Sequence, residues 1–585
     1  MLKLLRKLRK REVIMCAICA AFILGQVYFD LRLPEYMTEL TRLIQTPGSE
    51  VSAIWATGLE MLGCVLISAV LAITCGYLSA RAAAGFAYSV REDLFRHVTG
   101  LGQAEMLKIS IPSLITRTTN DITQTQMVIA MGLQSLIKAP IMAVWAIIKI
   151  LGKSWELSVV TAGFVIVMCV SMLLIMRTVL PRFRIVQKIT DKINNISREN
   201  LTGINVVHAF NAEEYQCEKF DEMNGKMYNT QLFNQRLFAL MQPVMQLGMN
   251  GLSLAIYWVG AALLAGIPAI DMAQRLTMFG DIVVFSTYAM YVVMSFMMLV
   301  MIFMMMPAAQ VSAERINEVF NTKPSIKEGT RETAGEKGTV EFKNVSFRYP
   351  GAGEEELTDV SFKVNKGETL AIIGATGSGK TTLISLIPRF YDATQGQVLV
   401  DNVDVKEYTF DALYNRLGYV TQKAMLFTGS IEDNVTFGES SVEIDEEAVN
   451  SALDTAQARE FVDKLENKTD YEIAQGGRNV SGGQKQRLSI ARALARGAEI
   501  LIFDDSFSAL DYKTDATLRK GLAEKLDDTT KIIVAQRVGT IRNADNILVL
   551  DDGKIVGSGK HDELMKNCSV YREIAKSQLS EAELA

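Results

Sequence analysis

The sequence has few of the residues from which disulfide frameworks and metal clusters are built. Its 585 residues include only 7 cysteines and 3 histidines. The cysteines are scattered, and the one close pair, Cys16 and Cys19, lies inside an apolar segment. We interpret this pair as small helix-packing residues rather than as a redox or metal site. Because the chain is too long for one core, we expect several domains or a membrane block joined to a soluble domain.

Dense positive charge is scarce as well. The formal net charge is -5, and the only dense run of Lys and Arg lies within the first dozen residues, so the sequence does not indicate a nucleic-acid partner. Hydrophobic residues make up 49% of the chain and charged residues 21%. The apolar residues concentrate before about Pro307 and the charges after it. This shift predicts a membrane half followed by a soluble half.

Six stretches are apolar enough to cross a bilayer, for which a helix needs roughly 20 residues. They lie near residues 13–29, 53–79, 127–151, 157–180, 238–266 and 281–306. The first is not a cleaved signal, because no small-residue cleavage site follows it and further spans come after it. We therefore predict an all-α transmembrane domain of six helices over residues 13–306, preceded by a basic cytoplasmic segment, residues 1–12.

The distribution of Lys and Arg predicts the orientation of these spans. If the N-terminus is cytoplasmic, the inner segments carry 19 basic residues and the outer loops carry 4. The outer loops are residues 30–52, 152–156 and 267–276. The positive-inside rule then places both termini in the cytoplasm.

The two inner loops, residues 80–126 and 181–237, are long and contain few helix breakers. We expect them to extend the spans as helices far below the membrane. Each would end in a turn, near Glu105 to Ser113 and near His208 to Tyr215. These turns are candidate points for transmitting motion to a cytoplasmic domain, and plain solvated loops are the alternative.

Polar residues inside the spans have two interpretations. Lys138 lies well within the third span, where a charge facing lipid is costly. It either lines a central cavity or bonds across helices. The same alternatives apply to Gln134, Gln242, Gln246 and Asn250. A methionine-rich stripe over residues 294–306 is either packing or a plastic surface for a small hydrophobic substrate.

The pattern changes after Pro307. A polar linker, residues 307–338, leads to residues 339–585, where strand-like runs alternate with helical ones as in a parallel α/β domain. The apolar strand over residues 370–373 runs into a complete P-loop. Its residues include Gly374, Thr376, Gly377, Ser378, Gly379, Lys380, Thr381 and Thr382. The glycines let main-chain amides wrap phosphates, Lys380 reaches the outer phosphates, and the Thr381 hydroxyl ligates Mg²⁺. The cytoplasmic half is therefore predicted to bind ATP and Mg²⁺.

A second strand, residues 500–503, ends in Asp504 and Asp505. An acidic residue at the end of a strand beside the P-loop can hold Mg²⁺ or its water, and this role suits Asp504. A further motif lies 20 residues before Asp504. It consists of Ser481, Gly482, Gly483 and Gln484. Here the sequence resembles ATP-binding-cassette proteins, whose signature motif is a Ser-Gly-Gly-Gln run at this position.

The resemblance covers essentially the whole chain, since six spans, two long cytoplasmic loops and one cassette are the layout of type IV exporters. Residue by residue, Tyr349 corresponds to the aromatic that stacks on adenine, and Gln422 to the Q-loop ligand of Mg²⁺. Residues 205–214 resemble the second intracellular loop of the family. The resemblance therefore implies a coupling role for residues such as Ala209, Phe210 and Glu213.

In this family two cassettes close head to tail, so each ATP lies between one chain's P-loop and the other's signature. The resemblance thus implies a dimer in which Ser481 to Gln484 act in trans. Two positions depart from the hydrolytic pattern. Asp505 replaces the Glu that usually acts as general base, and a misplacement of roughly 1 Å can cost on the order of a hundredfold in rate. Gln536 stands where a switch His is expected, and it cannot carry the charge or proton of an imidazole.

Together the two departures resemble the degenerate half of heterodimeric, multidrug-type exporters. We predict ATP-driven export of a hydrophobic or amphipathic substrate, with a homologous half-transporter supplying the consensus Glu and His. The alternatives are a homodimer with two slow sites, a lipid or peptide exporter, and an ATP-gated channel or regulator. The short loops and the absence of a targeting peptide favour a bacterial plasma membrane, with membrane lipid around the spans.

Overall fold

The structure, a computed structural model, describes residues 2–46, 48–268, 271–439 and 443–578. Parts of the predicted N-terminal segment, of the first and third outer loops and of the cytoplasmic domain lie outside the described residues. These parts are residues 1, 47, 269–270, 440–442 and 579–585. The chain forms two compact units. The membrane unit holds the residues up to Thr99 with Pro112–Asn321, and the cytoplasmic unit holds Gly100–Ile111 with the residues from Thr322 onward.

The first half of the chain is built from helices. They are α1 (Leu2–Leu5), α2 (Lys10–Gln45), α3 (Val51–Thr99), α4 (Gln103–Ile109), α5 (Ile111–Thr118), α6 (Asn120–Leu151), α7 (Trp155–Thr202), α8 (Ile204–Ala209), α9 (Glu213–Ala265) and α10 (Met272–Asn321). In the described part of the chain, six helical segments are long and apolar enough to cross a membrane by length and composition. Each contains one of the predicted spans, so the six-helix prediction is confirmed.

Helices continue beyond two of the predicted apolar spans. Most of the first predicted outer loop, residues 30–52, is helical, since α2 ends only at Gln45. The predicted linker begins with helix, because α10 passes through Pro307 and ends at Asn321. A buried face with helical spacing, Ala309, Ala313 and Ile316, continues beyond the proline and accounts for this extension. Proline is tolerated inside membrane helices when neighbouring groups satisfy the freed backbone.

The position of Lys138 decides between its two interpretations. Its Nζ lies 3.1 Å from Oδ2 of Asp30, which places an ion pair between α6 and α2. Both side chains are less than one-fifth exposed, and the Ser68 hydroxyl of α3 donates a second bond to the Asp30 carboxylate. Lys138 therefore bonds across helices, as one of the two interpretations stated. Asp30 was missed because it was assigned to an outer loop.

The cytoplasmic unit is an α/β domain of short strands and helices. The strands are β1 (Val340–Phe347), β2 (Leu357–Val364), β3 (Thr369–Gly374), β4 (Gln395–Val400), β5 (Val403–Asp404), β6 (Leu417–Val420), β7 (Gly429–Ser430), β8 (Glu472–Ile473), β9 (Ile500–Asp504), β10 (Thr530–Val534), β11 (Asn546–Asp551) and β12 (Lys554–Gly559). The helices are α11 (Lys380–Ser385), α12 (Phe410–Tyr414), α13 (Ile431–Val435), α14 (Glu446–Thr455), α15 (Arg459–Val462), α16 (Gly482–Ala495), α17 (Tyr512–Lys525), α18 (Val538–Ile541), α19 (His561–Asn567) and α20 (Ser569–Gln578).

The central sheet has the strand order β12-β11-β3-β10-β9-β6 and is parallel except for β12. Its inner strands, β11, β3, β10 and β9, are buried on both faces: in β3, Leu370 and Ile372 belong to one apolar cluster, and Ala371 and Ile373 to another. The prediction of a parallel α/β domain holds for this sheet. A second, antiparallel sheet with the order β2-β1-β4-β5 was not predicted.

Candidate nucleotide site

The order of three strands brings the predicted motifs to one edge of the sheet. β3 lies beside β10, and β10 beside β9, all parallel, so their carboxyl ends meet. The P-loop follows β3, Gln536 follows β10, and β9 ends at Asp504. A pocket of about 270 Å³ opens at this edge. The predicted residues that line it are Thr376, Gly377, Gly379, Lys380, Thr381, Thr382, Gln422, Asp504, Asp505 and Gln536.

The backbone of the P-loop requires glycine at two of the predicted positions. A Cβ at Gly374 would lie 2.1 Å from the carbonyl oxygen of Leu550, so the neighbouring strand β11 excludes a side chain. Gly379 has φ 92°, in the left-handed region that favours glycine. The loop is thus shaped by close backbone packing on one side and by a left-handed turn before α11.

Lys380 is held inside this loop. Its Nζ donates to the carbonyl oxygens of Gly374, at 2.9 Å, and Ala375, at 2.6 Å. Burial lowers the pKa of the Lys380 ammonium, and the nearby carboxylates of Asp505 and Asp504 oppose that shift. A phosphate in the loop would give this buried ammonium an anionic partner.

Thr381 and Asp504 form a second pair, in which the Thr381 hydroxyl donates to Oδ1 of Asp504 at 3.0 Å. Burial raises the pKa of the Asp504 carboxyl, and this hydrogen bond opposes the shift. These groups fit Mg²⁺, because hydroxyl, carboxylate and the Gln422 amide oxygen are hard ligands. The described residues contain no cluster of three or more His, Cys, Asp or Glu able to hold a metal. The site therefore suits Mg²⁺ that arrives with nucleotide phosphates, which is how this ion usually binds.

The two residues that depart from the hydrolytic pattern contact each other. Nε2 of Gln536 donates to Oδ2 of Asp505 at 2.9 Å. The Asp505 main chain lies in the left-handed region, with φ 45°, which aspartate tolerates better than most residues. Burial raises the pKa of the Asp505 carboxyl, opposed by the Gln422 amide. The Asp505 carboxylate, at the position of the general base, is thus hydrogen-bonded to Gln536, at the position of the switch residue.

Tyr349 and Ser378 lie beside the pocket rather than in its lining. The Tyr349 hydroxyl is 2.9 Å from Oγ1 of Thr382, and its ring packs edge-on against Phe347 and Tyr391. This arrangement places the Tyr349 ring next to the P-loop, and its adenine contact stays a prediction.

The four signature residues lie at the start of α16, away from the P-loop pocket of the same chain. Ser481 caps the helix: its Oγ accepts from Gln484 N, while Gln484 Oε1 accepts from Ser481 N at 2.8 Å. Ser481 and Gly482 are exposed, and Gly483 and Gln484 are partly exposed. A binding role for these residues in another chain stays a prediction.

The predicted coupling residues lie in the membrane unit, where α8 gives way to α9. Phe210 is 78% exposed, Ala209 is exposed, and Glu213 begins α9 with its carboxylate 2.7 Å from His208 Nδ1. The other predicted turn, at α4, belongs to the cytoplasmic unit. There the buried Glu105 carboxylate accepts from Gly102 N at 3.0 Å and from Ser325 N at 3.2 Å.

Two contributors to the site were missed by sequence reasoning. Glu356 lines the pocket from just before β2, and no motif marks it. Gln578, at the end of α20, bonds the main chain on both sides of Arg537. Its distance of 42 residues from Gln536 leaves no local signal that could have revealed the contact.

Comparisons with known proteins agree with this architecture. The family model for the ABC transporter transmembrane region matches residues 32–296, and the ABC transporter model matches residues 357–508. An uncharacterized ABC transporter ATP-binding protein of Mycobacterium tuberculosis is 38% identical over 90% of both chains. An ATP-dependent lipid A-core flippase of Aromatoleum aromaticum is 31% identical, over 86% of this chain and 82% of its own.

The fold is also that of a solved structure. A bacterial Atm1-family ABC exporter with ATP bound superposes with a TM-score of 0.81 at 22% identity, over 98% of this chain and 99% of that chain. The cassette, the six apolar helices and the bacterial relatives together identify a multi-pass protein of a bacterial inner membrane whose transport is coupled to ATP hydrolysis. The chain belongs to the ABC transporter family, as an exporter half-transporter with one transmembrane domain and one nucleotide-binding domain.

Proposed function

We propose that this chain is the degenerate-site subunit of a heterodimeric ABC exporter and moves a hydrophobic or amphipathic substrate across the membrane. The observation that carries the proposal is the hydrogen bond between Gln536 and Asp505 in the wall of the nucleotide pocket. Both residues differ from the Glu and His that hydrolytic sites of the family use.

The P-loop site of this chain is suited to holding ATP. Main-chain amides around Gly377 and Gly379 would hold the phosphates, and Lys380 would redirect its N–H groups from the loop carbonyls to them. The Thr381 hydroxyl, with Gln422 and Asp504, would hold Mg²⁺, which neutralises phosphate charge. Each of these side chains lines the same pocket.

Hydrolysis at this site is slow for two reasons. The Asp505 carboxylate is one methylene shorter than glutamate, so it does not reach as far toward an attacking water, and general bases depend on hydrogen-bond reach. The Gln536 amide can donate to a γ-phosphate but cannot take up a proton. ATP bound here therefore stays largely unhydrolysed.

The partner is a homologous half-transporter that carries the consensus Glu and His. Ser481 to Gln484 complete the partner's site in trans, and their exposure at the start of α16 makes them available for this role. ATP between the cassettes favours closure, the cytoplasmic turns transmit it, and hydrolysis in the partner's site resets the cycle.

An apolar pocket in the membrane unit supports the substrate class. It lies between α7, α9 and α10, and its walls are apolar side chains such as Met168, Met172, Met241, Met245 and Met297. Flexible thioether side chains adapt to differently shaped apolar groups. A lipid substrate is the second candidate, favoured by the relatives named as lipid A-core flippases.

The ATPase rate of the purified chain, alone and with its partner, tests the proposal. We expect little activity from the chain alone and a large increase with the partner. Within the pair, Asp505→Asn should change the rate much less than Glu→Gln at the partner's base, while Lys380→Ala serves as the nucleotide-binding control. An ordinary exporter rate from the chain alone, or equal losses from both base substitutions, overturns the asymmetry and favours a homodimer.

Transport into vesicles by the reconstituted pair tests the substrate class. Hydrophobic drugs, lipids and peptides should be compared by their stimulation of ATPase and by their uptake. Ion conductance without uptake of any of the three would indicate a channel instead.

A further inference from the structure

The last helix of the cytoplasmic unit ends on the segment that carries Gln536. Oε1 of Gln578, the final residue of α20, accepts a hydrogen bond from the main-chain N–H of Val538 at 2.8 Å. Nε2 of the same side chain donates to the main-chain carbonyl of Gln536 at 2.7 Å. The single side-chain amide of Gln578 therefore bonds both the Val538 N–H and the Gln536 carbonyl, which lie two residues apart in the main chain.

The held segment is where the chain leaves the sheet. The Ala535 N–H still donates to Ile372 O of β3, at 3.1 Å, and α18 begins only at Val538. Gln578 thus contacts the stretch between the end of the strand ladder and the start of the next helix. In this stretch the main chain lacks the regular hydrogen bonds of a strand or a longer helix, so side-chain hydrogen bonds contribute more to fixing its position. We call the two hydrogen bonds of Gln578 the Gln578 clamp.

The same stretch presents two side chains to the turn after β9. Gln536 donates to the Asp505 carboxylate, and Nη2 of Arg537 lies 3.4 Å from the carbonyl oxygen of Ser508. A shift of the main chain between Gln536 and Val538 would move both contacts. The position of the Gln536 amide is therefore linked to the Gln578 clamp.

The helix that carries Gln578 is well anchored. Tyr571 and Ala575 of α20 are fully buried in the same apolar cluster as Val538, and the Tyr571 hydroxyl is 2.7 Å from Nδ1 of His561. Tyr571, Ala575 and Gln578 have the spacing of one helix face. The clamp is therefore attached to the core of the cytoplasmic unit rather than to a loop.

We propose that Gln578 is a positioning residue for the nucleotide site, which holds the main chain of residues 536–538 so that the Gln536 amide points into the pocket. It contacts no nucleotide atom and acts through Gln536. This inference rests on the proposed function, because it takes the pocket to be where ATP binds.

Hydrogen exchange of the full chain in lipid nanodiscs, without nucleotide, tests the clamp itself. Gln578→Ala should speed exchange in the peptide that contains Val538, because its N–H loses its acceptor. Gln578→Glu keeps that acceptor but places an oxygen against the Gln536 carbonyl, so exchange at Val538 should change less. Lys576→Ala, on an exposed neighbouring position of α20, is the matched control. Unchanged exchange in Gln578→Ala overturns the proposal.

Equilibrium binding of Mg²⁺-ATP to the same samples tests the link to the site. Gln578→Ala should weaken binding roughly threefold to tenfold, the scale of one or two net hydrogen bonds. In a Gln536→Ala background the same substitution should have no further effect, because the residue through which it acts is gone. An equal loss in both backgrounds, or none in either, overturns the positioning role.

Failure of the proposed function gives a different result. In that case the chain alone hydrolyses ATP at an ordinary exporter rate, or the two base substitutions in the pair cause equal losses, and neither result depends on Gln578. The exchange measurement still decides on the clamp, since it needs no nucleotide.

Discussion

At the wall of the nucleotide pocket, the carboxylate of Asp505 and the amide of Gln536 satisfy each other. The pair offers an incoming water neither a full-length carboxylate nor an imidazole. Because Asp505 occupies a left-handed backbone position, a glutamate there carries a conformational cost that aspartate largely avoids. The proposed function takes this site to combine intact phosphate-binding parts with a disabled base.

Restoring the consensus pair should restore turnover. We expect Asp505→Glu with Gln536→His to raise at least about tenfold the ATPase rate of a pair whose partner carries Glu→Gln at its base, since general-base catalysis typically contributes 10²–10⁴-fold. Asp505→Asn with Gln536→His is the matched control, because it supplies the imidazole without a base. A rate that stays at the unaltered level in the restored variant would show that something other than these two residues limits hydrolysis.

Single residues also show what the sequence could predict about the site. The P-loop and Asp504 were predicted from motif and strand context, because phosphate and Mg²⁺ binding demand particular residue types at fixed positions, whereas Gln422 was implied by the family resemblance. The bond from Gln536 to Asp505 and the clamp by Gln578 could not be found, because they depend on how distant segments pack. Motifs thus gave the parts of the site but not the contacts between them.

Among the elements, α4 has the clearest attachment to the cytoplasmic unit. It is a seven-residue helix between α3 and α5 in the sequence. The helical conformation is interrupted before it at Gly102 and after it at Ser110, where φ is 66°. Glu105 caps it through Gly102 N and also accepts from Ser325 N. One buried carboxylate thus joins the start of α4 to the segment that leads into β1.

Removing this carboxylate should weaken communication through α4. We expect Glu105→Ala to lower substrate-stimulated ATPase of the reconstituted exporter several-fold while basal ATPase changes little, because the nucleotide pocket is untouched. Glu105→Gln keeps an acceptor and should lose less. Lys108→Ala, on an exposed position of the same helix, is the control. Equal losses of basal and stimulated activity in Glu105→Ala would indicate damage to folding instead of coupling.

The elements also separate what hydropathy can predict from what it cannot. Each of the six spans was located, because a mostly apolar run of about 20 residues is typical of a membrane helix and rare elsewhere. The spans did not show where α2 and α10 end, because amphipathic extensions and an internal proline do not mark where a helix stops. α10 continues past Pro307 because Ala309, Ala313 and Ile316 form a buried face beyond the proline.

On the scale of the whole molecule, both units combine apolar clusters with paired charges. The cytoplasmic unit is stabilised by apolar clusters on both faces of its central sheet. The membrane unit also relies on polar groups that pair with one another inside an apolar setting, and Lys138 with Asp30 is the clearest example. The order of membrane half and cassette followed from composition, whereas this pair required the structure.

Breaking the pair should destabilise the membrane unit. We expect Lys138→Met to lower the thermal unfolding temperature in detergent by several degrees, because Asp30 is left as a largely buried charge without its partner. The double variant Lys138→Met with Asp30→Asn should recover much of the loss. Tryptophan fluorescence reports on this unit, since all four tryptophans lie within it. If the single and double variants lose equal stability, the ion pair does not account for the effect.

The capped start of α16 has a consequence for selectivity. The side chains of Ser481 and Gln484 already accept hydrogen bonds from each other's main-chain N–H groups. These N–H groups are therefore not free to bind an anion. Free phosphate in the cytosol must compete with these internal bonds and gains little by displacing them. On the proposed function, an ATP presented by a second chain would bring many additional contacts and could displace these internal bonds. The cap would then favour binding in a complete dimer over binding of free phosphate.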